Sequence, residues 1–315
     1  IKEYVQPYSG KRDIFGIDCG DIVGDTPSLY PSYINTVSTL DFPFIVLSAT
    51  MHDLGGRTFE YSYRTFESYF GPIYYSFNKG KAHYIVLDNC FYVNRDYQYI
   101  GYIDERTFAW LEKDLSYVSR DKLVFVVMHI PSSLQKKLRY NTLDQDETVN
   151  TAALYKLLRA IMRISFPGNP FQYDVCFNDS LMEHNTAAVC GTWWRADINV
   201  DGTPRGYGIY EVNGDQLKWI YKSAGYPLEH QFHAYPADRR MNIFDIIANV
   251  WNWDDLWKVE WYENGQRMGE MQKYKGYDPM AKVICSDKEK VKYDWISPVL
   301  TSISFMQLLM TQTQG

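Results

Sequence analysis

The chain has no apolar run near the roughly 20 residues of a membrane-spanning helix. It has no positively charged leader followed by an apolar core at its start and no initiator Met. Opening on Ile1-Lys-Glu-Tyr-Val, it reads as the interior of a longer polypeptide, so residues are expected to precede it. Positive charge is not in excess: the net charge is −6, which withholds the overall field that draws in nucleic acid. The five cysteines, Cys19, Cys90, Cys176, Cys190 and Cys285, show no CxxC spacing, which argues against a zinc ribbon or a redox dithiol. Their odd number leaves at least one thiol unpaired, and buried free cysteine is the expectation. Low-complexity tracts and internal repeats are absent as well.

What is present is aromatic. Phe, Trp and Tyr make up 17% of the residues, 27 of them Tyr. Such side chains either pack sheets or line a binding surface, and the composition leaves both open. The first half alternates two kinds of pattern. Asp13–Cys19, Pro43–Ser48, Ala82–Asp88 and Lys122–His129 are short apolar runs ending in polar turns, as strands buried on both faces do. Asp104–Leu115 places Phe108, Leu111 and Leu115 at helical spacing behind a capping Asp104. Thr151–Ile164 reads as a second helix. This alternation predicts an α/β layered domain. The second half reads as strands at Ala187–Trp194, Gly206–Val212 and Gln216–Lys222, the last two joined by an Asn213-Gly214 hairpin signal. Beyond Tyr226-Pro227, Ile246–Trp251, Trp257–Glu263 and the Asn264-Gly265 turn suggest a small β-sandwich.

Four features fall at predicted strand ends, where α/β sheets build their sites. Gly20-Asp21 would present a carboxylate at the sheet edge, suited either to bridging metal ions or to an ordinary turn. His52-Asp53 offers an imidazole that a carboxylate can hold in one tautomer as a general acid, or a loop detail. Asp88-Asn89 is the third. His129 closes a strongly apolar strand before Ile130-Pro131 and suits a metal ligand or a satisfied core histidine.

Taken in order, Gly20-Asp-Ile-Val-Gly-Asp25, Thr65–Phe77, His83–Asn89, Met128-His-Ile-Pro131, Cys190-Gly-Thr-Trp-Trp194 and Asp197–Pro204 resemble the calcineurin-like metallophosphoesterases. The strings point to a bacterial envelope subgroup with a C-terminal β domain. The resemblance implies hydrolysis by a hydroxide held on two divalent ions. It makes Asp21 the bridging aspartate, His129 a metal ligand, His52 the residue facing the phosphate and Asp53 its orienting partner. Trp193 and Trp194 become candidate substrate contacts, with packing as the alternative. The pattern also breaks. Met51 stands where the family has Asn, and a thioether is a poor ligand for such ions. The Gly-His-x-His expected near the Arg159–Ile164 helix is missing, and Pro167 and Asn169 are its nearest counterparts. The leading Asp-x-His would lie before Ile1.

The expectation is therefore an α/β phosphoesterase-like fold, a layered β-sandwich flanked by helices and incomplete at its N-terminus, over residues 1–228, with an all-β sandwich domain over 229–315. Its function is read as a catalytically impaired pseudoenzyme reused as an envelope binding or assembly subunit, without tightly bound metal. The alternative is an active phosphomonoesterase or phosphodiesterase using two Mn, Fe or Zn ions. Further expectations are an envelope or outer-membrane protein partner, no nucleic acid, and a location in the periplasm or at the surface of a bacterium, in the manner of exported lipoproteins.

Overall fold

The structure, a computed structural model, describes residues 13–46, 59–93, 99–131, 147–158, 163–167, 174–178, 181–238, 245–253, 256–291, 293–294 and 296–307. His52 and Asp53, with Met51 and Asn169, lie outside the described residues. The chain divides into two compact units, one of Ile1–Pro170, Cys176–Asn185 and Val212–Leu217, the other of Phe171–Val175, Thr186–Glu211 and Lys218–Gly315.

In the first unit, β1 (Gly16–Asp18) and β2 (Phe44–Val46) form a parallel pair, followed by helix α1 (Tyr30–Val37) after β1 and α2 (Phe59–Phe70) after β2. A six-stranded sheet is built from β3 (Tyr75–Lys79), β4 (Ala82–Val86), β7 (Leu123–Met128), β8 (Arg163–Pro167), β9 (Asp174–Asn178) and β10 (Leu181–Asn185), in the order β3-β4-β7-β8-β10-β9. Strands β4, β7, β8 and β10 run parallel and β3 antiparallel to β4. A small antiparallel pair, β5 (Cys90–Tyr92) and β6 (Tyr99–Gly101), follows β4. Helices α3 (Glu105–Leu115) and α4 (Thr151–Leu158) supply the crossovers.

Strand periodicity sorts the two faces of this sheet. Ile85, Leu87, Val124, Val126 and Met128 meet Phe108 and Leu111 of α3 and Leu154 and Leu158 of α4 in one apolar core. The opposite face carries a ring ladder across three neighbouring strands. Phe77 stacks on Tyr84 at 4.9 Å and Tyr84 on Phe125 at 4.7 Å, with Phe15 edge-on to Tyr84 at 5.2 Å. Tyr30, Phe66 and Phe70 form a second aromatic cluster between α1 and α2. Asp104 caps α3 as its sequence position predicted, its carboxylate accepting from Thr107 N at 2.7 Å.

The second unit holds a four-stranded antiparallel sheet in the order β13 (Phe232–Tyr235), β14 (Ile246–Val250), β18 (Leu300–Gln307) and β17 (Gln272–Tyr277). The hairpins β11 (Gly206–Asn213)–β12 (Gln216–Ser223) and β15 (Glu260–Glu263)–β16 (Gln266–Glu270) turn where Asn213-Gly214 and Asn264-Gly265 were expected to turn them. Among the described residues of 229–315, α5 (Pro279–Ser286), an eight-residue helix, departs from the all-β expectation.

Two element assignments change. The helix expected over 151–164 is described over Thr151–Leu158, and Arg163–Pro167, which the expectation included in or just beyond that helix, is a strand seated between β7 and β10. Backbone pairing of this segment with β7 on one side and β10 on the other overrides its helical periodicity. The strand expected over Ala187–Trp194 is instead a series of turns, because Gly191, Trp193 and Trp194 all take positive φ. The true strand, β10, lies just upstream and is buried along its whole length.

Candidate functional site

The carboxyl ends of β1, β4 and β7 bring three of the sequence features together. After β1 the backbone enters the left-handed region at Gly20 (φ 102°) and stays there at Asp21 (φ 57°). Glycine takes this conformation freely; for a residue with a Cβ it is a strain held by the surroundings. The result turns the chain sharply enough to set Cys19 O against the His129 ring. His129 Nδ1 lies 2.9 Å from that carbonyl, which can only accept, so Nδ1 carries the proton and donates it. Nε2 then faces Asp21, 3.6 Å from Oδ1, and has no hydrogen-bond partner although His129 is only 2% exposed.

Asn89, at the end of β4, anchors the loop that carries His129. Its Oδ1 accepts from the backbone N–H groups of His129 and Ile130, each at 3.1 Å. Its Nδ2 donates to Ile130 O at 2.7 Å and to Thr148 Oγ1 at 2.8 Å. Both ends of this buried amide are thus committed to holding backbone in place. The sequence marked Asp88-Asn89 as a strand-end feature but carried no signal that the amide would brace the histidine loop.

Asp18 was missed altogether. Its carboxylate accepts from Tyr33 Oη at 2.9 Å and from Gly20 N at 3.2 Å. Burial pushes its pKa up to about 6, against the lowering effect of those two donors, and the nearby charge of Asp21 raises it further. The Cys19 thiol is pushed up by burial and by Asp18. Burial likewise raises the phenols of Tyr63 and Tyr92, reinforced in both by Asp88 and in Tyr92 also by Asp25 and Asp21. The strand edge is therefore a negatively charged, phenol-lined place.

A dinuclear centre surrounds each of its ions with several Asp, Asn and His donors. Asp21 and His129 are arranged as two such donors would be, including the backbone acceptor that fixes the imidazole tautomer. Among the described residues, however, no group of three or more His, Cys, Asp or Glu side chains is placed to hold an ion. Asp21 and His129 by themselves do not complete the donor shell that a pair of ions requires. Cys19, Cys90, Cys190 and Cys285 form no disulfide, and Cys90 and Cys285 are buried.

The tryptophan pair belongs to the second unit. Trp193 packs against a core of Val200, Cys285, Val291 and Ile296, whereas Trp194, 59% exposed, projects to solvent. Their rings meet edge to face at 5.0 Å. The second unit also contains a polar core that sequence reading did not single out. Asp278 caps α5 by accepting from Ala281 N at 2.9 Å, takes the Tyr235 hydroxyl at 2.8 Å, and accepts from Asn249 Nδ2 at 3.0 Å. The Asp278-Pro279 pair at the helix start was its available sequence signal.

Among solved structures, GAP50, described as the anchor in the inner membrane complex of Plasmodium, is similar over 73% of this chain and 80% of its own, at 15% identity and a TM-score of 0.46. No curated protein matches the chain. The C terminal of calcineurin-like phosphoesterases matches residues 183–308, which take in β10, the tryptophan pair and the sheet of the second unit. Over residues 183–308 the chain is thus similar to the C-terminal region of the calcineurin-like phosphoesterases.

Proposed function

We propose that this chain is a catalytically silenced calcineurin-like phosphoesterase, retained as a binding or assembly subunit of a bacterial envelope. The observation that carries the reading is the donor count at the strand edge: Asp21 and His129 face each other, and the nearby amide of Asn89 is engaged by the backbone of residues 129 and 130 and by the Thr148 hydroxyl. The sequence supports it, with Met51 in the place of an asparagine ligand and Pro167-Gly-Asn-Pro170 in the place of a paired-histidine motif. Metal affinity falls steeply as ligands are lost. Without a bound cation, an acidic edge of Asp18, Asp21, Asp25 and Asp88 repels a phosphate ester.

Elemental analysis of the purified chain after exposure to Mn, Fe or Zn tests this, together with hydrolysis of p-nitrophenyl phosphate and bis(p-nitrophenyl) phosphate. Less than one equivalent of metal and background turnover are expected, unchanged in His52→Ala. Two tightly held ions with metal-dependent hydrolysis that His52→Ala abolishes would establish the active phosphoesterase instead. The envelope location is tested by cell fractionation, and recovery in the cytosol would remove it.

A further inference from the structure

The loop joining β10 to β11 folds in an unusual way. Within four residues, Gly191 (φ 62°), Trp193 (φ 48°) and Trp194 (φ 58°) are all left-handed. Glycine does this without penalty, but each tryptophan stores about 1–2 kcal/mol of backbone strain. Local hydrogen bonds hold it: Trp194 N donates to Cys190 O at 3.0 Å, Arg195 N to Thr192 O at 2.9 Å, and Thr192 N to Ile198 O at 2.8 Å. Gly191 is required where it stands, since a Cβ would lie 2.3 Å from Ala196 O. The packing of the half-buried Trp193 against the core of Val200, Cys285, Val291 and Ile296 accounts for one strained residue. The second, Trp194, meets only the edge of Trp193 among ring contacts on the described residues and leaves its indole 59% exposed.

What the indole faces is chemically specific. Trp194, Arg195, Ala196, Asp197 and Arg205 line a shallow open depression. Arg205 is oriented by Asp197, 3.2 Å from one of its terminal nitrogens, and Arg195 lies over the Tyr293 ring at 5.6 Å. Both guanidinium groups are exposed, and their N–H forks remain available to a further acceptor. An exposed flat aromatic face beside two oriented guanidinium groups matches a small ring with one apolar face and an attached anion. Strain maintained at a surface aromatic is itself an indicator of function.

We infer that this depression binds an anionic sugar, a hexose ring bearing a phosphate or a carboxylate, with the C–H face of the ring on Trp194 and the anion on Arg195 and Arg205. The net charge of these three ionised side chains is positive, in a chain whose overall charge is negative, so the attraction is local to the site. The site is made wholly of second-unit residues, and it stands whether or not the Asp21–His129 edge is silent.

Calorimetric titration of the whole chain with glucose 6-phosphate and with glucuronate tests it, with glucose and inorganic phosphate as half-ligands. Saturable binding of at least one sugar acid is expected, weakened about tenfold in Trp194→Ala and in Arg205→Ala. Each half-ligand should bind more weakly than the combined molecule. Because both side chains are exposed, the thermal transition of each variant should match that of the parent, separating lost binding from lost fold. Three outcomes overturn the inference: no saturable binding of either acid, equal binding by Trp194→Ala, or inorganic phosphate binding as tightly as glucose 6-phosphate.

Discussion

Replacing Asn89 by alanine should unlock the loop that carries His129. The side chain makes four hydrogen bonds at 1% exposure. Its removal leaves the N–H groups of His129 and Ile130 buried without an acceptor, at about 1–3 kcal/mol each. The Ile130 carbonyl keeps a weaker donor, Thr148 Oγ1 at 3.2 Å, so its loss is partial. The sum is about 3–5 kcal/mol, a large share of the roughly 5–15 kcal/mol that stabilises a folded domain. In urea denaturation followed by far-UV circular dichroism, the midpoint should fall by about 1–5 M, given a slope of roughly 1–3 kcal/mol per molar urea. Asn89→Asp sharpens the test. It keeps the acceptor for the two N–H groups but sets an oxygen against Ile130 O, so its destabilisation should shrink on acidification, when the carboxyl regains a proton to donate. A loss below about 1 kcal/mol for Asn89→Ala, or an Asn89→Asp variant indifferent to pH, would refute the clamp.

Further outcomes follow from the same structure. Burial lowers the pKa of His184 from 6.5 to about 3, so the folded state disfavours the imidazolium. Its contribution to stability is complete above pH 6.5 and is lost as pH falls toward 3; His184→Gln should flatten the stability–pH curve across that window, and an unchanged slope would contradict the assignment. Gly202→Ala forces a Cβ to within 2.1 Å of the Asp278 carboxylate carbon at a φ of +85°, and should lower the thermal midpoint of the second unit severely; tolerance of the substitution would show that the carboxylate can move. Trp193→Ala should cost about 1–3 kcal/mol by denaturation, whereas Trp194→Ala should stay within about 0.5 kcal/mol; similar losses for the two would erase the distinction between the packed and the projecting indole.

The amino-acid order by itself determined the parallel sheet and its capped helix. Runs such as Leu123–Met128 are apolar on both faces, and only burial between layers satisfies them. It determined the hairpin turns at Asn213-Gly214 and Asn264-Gly265, because those pairs accept the backbone torsions a tight turn demands. It also exposed the gaps in the ligand pattern, since the identity of a side chain decides what it can coordinate. Only the tertiary structure decided the rest. Arg163–Pro167 became a strand because a slot between β7 and β10 outweighed a local helical period. Ala187–Trp194 became turns because left-handed torsions at two tryptophans depend on hydrogen bonds from Thr192, Trp194 and Arg195 that no propensity scale contains. That Asn89 braces a loop 40 residues away, and that His129 turns its bare Nε2 toward Asp21, are consequences of long-range register. Sequence spacing names the groups that can react; the fold sets which of them meet and which are already engaged.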